Sequence, residues 1–131
     1  MTTTHQDHVY LKDLHFEHRL WLNELNFVKD EIAIFTHRLS EVEIKNNGAE
    51  FSAETESLQN RLIRQKEVLD ELLHEINAHE SSLAHDAEEQ PIAIEHIYFK
   101  DHKGLREKMT RFTSLYAEFK KEFMRFTAKW M

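Results

Sequence analysis

The sequence contains no cysteine, one proline and two glycines among 131 residues. Without cysteine there are no disulfides, no thiolate metal ligands and no cysteine nucleophile. So little glycine and proline leaves almost no material for tight turns between strands, which argues against a β-rich fold. No apolar run approaches the ~18 residues of a membrane-spanning helix, and the opening Met-Thr-Thr-Thr-His-Gln-Asp lacks a basic patch followed by an apolar core. The expectation is a cytoplasmic protein with no membrane partner. Excess positive charge is missing too: the formal net charge is −7. A nucleic-acid partner is therefore not expected, because such binding needs a basic surface that displaces counterions.

What is present points to helices. Charged residues make up 31% of the chain and hydrophobic residues 40%, with a mean hydropathy of −0.65. That balance suits long two-faced helices with one apolar stripe and a wet remainder. Leu11, Leu14, His18, Trp21, Leu25, Val28, Ile32, Phe35, Leu39 and Val42 follow one another in steps of three and four. So do Thr55, Leu58, Leu62, Gln65, Leu69, Leu72, Ile76, His79 and Leu83. Tyr98, His102, Leu105, Met109, Phe112, Tyr116, Phe119, Phe123, Phe126 and Trp130 form a third such series. Alternating steps of three and four are the heptad period of coiled-coil packing, and a period of two fits none of the three.

Helix punctuation separates the series. Lys45-Asn46-Asn47-Gly48 offers left-handed residues that end a helix, and Ser52 before Ala53-Glu54 has the form of an N-cap. Asp86 to Pro91 supplies the second break, and Thr4 and Asp7 a loose cap at the start. The expected helices cover about 7–45, 53–84 and 91–130, in one domain spanning 1–131. Short links make successive helices antiparallel, so the expected fold is an all-α bundle of three long helices. Gly104 falls inside the third helix, and a bend there would divide it and give four.

Ten histidines are more than a chain of this length usually carries. His5, His8, His37, His74, His85 and His96 fall in the tail, a loop or outward positions. His18, His79 and His102 each occupy a seam position, one per helix. A buried imidazole costs a few kcal/mol unless it finds a partner, so each needs a hydrogen bond, a metal ion or a wet site. If the first turn folds about residue 48, His18 lies level with residue 78, one residue from His79. If the second folds about residue 87 or 88, His79 lies level with residue 96, and His102 then sits about six residues, or ~9 Å, deeper.

Neighbours extend the cluster. His15 stands three residues before His18, and Glu75 four before His79, spacings that share a helix face. His15, His18, Glu75, His79 and His102 together would offer nitrogen-rich ligation with one carboxylate, which suits Zn, Fe or Mn better than Ca or Mg. The same residues could instead form a hydrogen-bonded polar layer that fixes register. Glu71-x-x-His74 matches the ferritin-like spelling once, and His37 with Glu41 the hemerythrin-like one; both face outward, and neither family is claimed.

The aromatic stripe of the third helix reads as core, and Lys120, Lys121, Arg125 and Lys129 suit a helix C-terminus. No Gly-rich phosphate loop or Ser/His/Asp arrangement is visible. The leading expectation is a small bundle binding a transition metal through core histidines near one end. The rival is a structural or adaptor bundle without metal, self-associating or binding another helical protein.

Overall fold

The structure is a computed structural model that describes residues 11–89 and 95–130. Among these residues there are three helices, α1 (Leu11–Lys45), α2 (Ala49–Glu89) and α3 (Glu95–Trp130), and no strand. No described helix is long and apolar enough to cross a membrane. The expected beginning of the first helix at residue 7, its cap at Thr4 and Asp7, and the break at Pro91 lie outside the described residues. So do His5, His8 and the side chains of Glu95, His96 and Tyr98.

The three helices pack on one another. His18 of α1 lies beside His79 of α2 and His102 of α3 at one end. At the other end Asn46 meets Trp130, and Phe51 stacks on Phe126. Successive helices therefore run in opposite directions. The apolar positions at steps of three and four are buried, from Leu14 to Val42 in α1, Leu58 to Leu83 in α2 and Leu105 to Phe126 in α3. Helix α3 runs without interruption through Gly104.

Two boundaries differ from the expectation. Helix α2 starts at Ala49 rather than 53, because Gly48 adopts a φ of 110° and its carbonyl accepts the Ser52 N–H at 2.9 Å. The left-handed conformation, open to glycine at no steric cost, lets α2 begin directly after the turn, so Ser52 lies inside the first turn rather than capping it. The added turn buries Phe51 against Phe126 and Trp130. Asn46 ties this end together: its side-chain amide donates to the Val42 carbonyl (3.0 Å) and the Trp130 carbonyl (2.8 Å), two helix-end acceptors that lack helical partners. The second difference is that α2 continues to Glu89, well past residue 84. The link to α3 is thus centred several residues later than 87 or 88, and every level match between α2 and α3 shifts with it.

Candidate metal centre

That shift brings His102 to the level of His79. One ring nitrogen from each of His18, His79 and His102 lies within 4.8 Å of the others. Ring centres are 5.1 Å apart for His18–His79, 5.1 Å for His18–His102 and 6.2 Å for His79–His102. His18 and His102 have 0% and 1% exposure, while His79 is half-buried with its Nε2 shielded from solvent. Each side chain is here because the three-and-four spacing that buries leucines on its helix buries it too.

The layer interrupts the apolar core. The main cluster extends from Trp21, Ile76 and Leu105 to the far end, whereas buried Leu14 and Leu83 lie beyond the histidines and outside it. Trp21 stacks on His102 with centroids 4.8 Å apart and lies 5.7 Å from the ring of His18, which closes the layer toward the core.

Two carboxylates hold the outer edges of the imidazoles. Glu80 of α2 accepts from His18 Nδ1 through one oxygen and from His15 Nδ1 through the other. Glu17 of α1 accepts from His102 Nε2 and from Arg106, the latter at 2.8 Å. Burial raises the carboxyl of Glu17, but the hydrogen bonds from Arg106 and His102 outweigh it and hold the group below its usual range. For Glu80 burial again opposes ionisation, and the bonds from His18 and His15 prevail. Both are therefore carboxylates, which only accept. Hence His18 carries its proton on Nδ1 and His102 carries its proton on Nε2.

The remaining nitrogens, His18 Nε2 and His102 Nδ1, face each other at 3.2 Å. When both imidazoles are neutral these are two lone pairs in contact, an arrangement that calls for a cation or proton between them. Burial pushes the pKa of His102 down, more strongly than the bond to Glu17 raises it. Burial also lowers His79, helped by repulsion from His18 and His102 and opposed by Asp101 and Glu80. The neutral, donor form is favoured at both.

Of the five residues expected from sequence, three converge and two do not join them. His15 is partly exposed and reaches the layer only through Glu80. Glu75 points to Lys108, its Oε2 accepting from Nζ at 2.9 Å. The outward histidines behave as expected where described: His37 is 81% exposed beside Glu41, and His74 and His85 are exposed. Sequence reasoning missed Glu17, Glu80 and Arg106. Glu17 and Glu80 each adjoin a histidine of the cluster in sequence, but adjacency alone does not tell which glutamate faces the layer.

Comparison with known proteins gives no match: no family model, curated protein or solved structure is significantly similar to this chain.

Proposed function

We propose that this protein binds one transition-metal ion at the histidine layer, through His18, His79 and His102. The observation that carries the reading is the 3.2 Å approach of His18 Nε2 to His102 Nδ1, with both outer nitrogens engaged by carboxylates. Two nitrogens 2.0–2.1 Å from a shared tetrahedral ion stand about 3.3 Å apart. The ring centres of such ligands are roughly 5 Å apart, close to two of the three separations here. Carboxylates on the far nitrogen are the usual supports of metal-bound imidazoles. An ion at this height ties all three helices together, so its binding energy adds to the stability of the fold. We further infer that the three seams interdigitate as in coiled coils, which would make the histidines one layer of a heptad stack.

The test is thermal unfolding of tag-free protein before and after chelation, then after Zn²⁺ is returned. A melting temperature that falls with chelator and recovers with metal supports the reading. Identical melting in all three states overturns it and leaves a hydrogen-bonded layer that sets register.

A second reading has an observation of its own. On α1, Phe16, Leu20, Phe27 and Ile34 are 62, 53, 61 and 64% exposed at outward helical spacing. Such a stripe is an anchor for a helical partner or a second copy of the chain. Sedimentation of the protein alone tests self-association; a strict monomer leaves only the heterologous form.

A further inference from the structure

The two carboxylates nearest the histidine layer are already committed. Glu17 is shared by His102 and Arg106, and Glu80 spans His15 and His18 with its two oxygens. Neither belongs to the group whose donor atoms lie within 4.8 Å of one another, which among the described residues consists of three imidazoles. The donor set is therefore nitrogen only, with the carboxylates one hydrogen bond further out.

Resting on the metal reading above, we propose that Glu17 and Glu80 are outer-sphere positioning residues, and that the site accordingly selects a tetrahedral borderline ion of the Zn²⁺ and Co²⁺ kind. Three imidazoles with no oxygen ligand are a poor set for Mn²⁺ or Mg²⁺, which prefer oxygen donors, and match the three-nitrogen arrangement of tetrahedral zinc. Three protein nitrogens leave one tetrahedral position for an exogenous donor such as water. The carboxylates also dictate an unequal pair of tautomers. Glu80 on Nδ1 makes His18 bind through Nε2, whereas Glu17 on Nε2 makes His102 bind through Nδ1. Arg106 holds Glu17 in place at 2.8 Å, and His15 braces Glu80 through its other oxygen.

The experiment uses the full chain, with Co²⁺ as the probe and Zn²⁺ and Mn²⁺ as competitors. Intense visible absorption of a tetrahedral Co²⁺ centre is expected, displaced by equimolar Zn²⁺ and indifferent to Mn²⁺. Glu17→Gln and Glu80→Gln should each weaken Co²⁺ binding by roughly 10–100-fold while the spectrum at saturation stays tetrahedral. In the metal-free protein, nitrogen-detected NMR should show His18 protonated at Nδ1 and His102 at Nε2. Glu80→Gln should disturb the first signal and Glu17→Gln the second, an effect that a merely structural role would not produce. Weak octahedral absorption, or displacement by Mn²⁺, overturns this inference but leaves metal binding intact, as does unchanged affinity in both variants. No Co²⁺ or Zn²⁺ binding at all overturns the metal reading itself.

Discussion

The two ends of the bundle are built on the same helical spacing and filled with different chemistry. At one end Phe35, Phe119, Phe123, Phe126 and Phe51 form a continuous chain of ring contacts, closed by Trp130. At the other, seam positions hold His18, His79 and His102, with glutamates on the outside. Burying an aromatic ring is favourable by itself, whereas burying an imidazole costs free energy until each nitrogen has a partner. On this argument the aromatic end supplies stability, and the histidine layer is tolerated only through the partners it finds. Between them, Glu31 on α1 accepts from the Tyr116 hydroxyl at 2.8 Å and from Lys120 at 2.7 Å. Burial, joined by that bond to Glu31, pushes the Tyr116 pKa far up, so the phenol stays a donor at all ordinary pH.

The contrast fails most visibly if the aromatic end is not the source of stability. Phe119 is fully buried, and Phe119→Ala should cost about 3–5 kcal/mol in denaturant unfolding. A loss below about 1 kcal/mol would mean that the ring belongs to an interface rather than a core. Next in size is the proposed metal. An ion present at a hundred times its dissociation constant should add about 2.7 kcal/mol, read as the difference between loaded and chelated protein. In the chelated protein, His79→Leu should leave stability within about 1 kcal/mol of the parent or raise it, because an apolar seam residue replaces a polar one.

Acid sharpens the comparison further. The pKa values of His79 and His102 are lowered from 6.5 in the folded protein, so the unfolded chain takes up protons that the folded one refuses. Stability should therefore fall as pH drops below about 6.5, and fall again below about 4.5, where Glu17 and Glu80, also lowered, lose their charge in the unfolded chain first. Replacing His79 and His102 with leucine should flatten the first of these declines. A decline of unchanged size would assign it to other groups.

The smallest effect comes from Gly104. A β-carbon added there meets nothing within 4 Å, and the residue lies inside continuous α3. Gly104→Ala should stabilise by up to about 1 kcal/mol. A destabilised variant would show that α3 needs a bend at the histidine end.

The helical core was legible because burial and periodicity are the same property on a long helix: Leu25, Ile32, Leu69 and Phe119 could be placed without any tertiary information. Boundaries were less so. Ser52 looks like a cap, yet the backbone conformation of Gly48 lets α2 begin at Ala49, and a φ value is not written in the sequence. Asp86-Ala87-Glu88-Glu89 reads as the approach to a break, but Ala and Glu are good helix formers and the helix continues through them. That error alone placed His102 too deep. Glu75 stands out in the sequence because its spacing to His79 can be counted along one helix, whereas nothing of that kind marks Glu80. The partners of these carboxylates, Lys108 on another helix and the histidines across the layer, depend on how the helices face one another. With many glutamates in α2, no local rule separates the one that faces the layer from those that face water.

The most direct test of the central claim is the metal content of the untagged chain, loaded with Zn²⁺, freed of excess ion and measured by elemental analysis beside His18→Leu, His79→Leu and His102→Leu. One ion per chain in the parent, with stoichiometric binding lost in each variant and retained in His37→Leu, is the predicted result. A parent that retains no metal, or variants that retain as much as the parent, would contradict it.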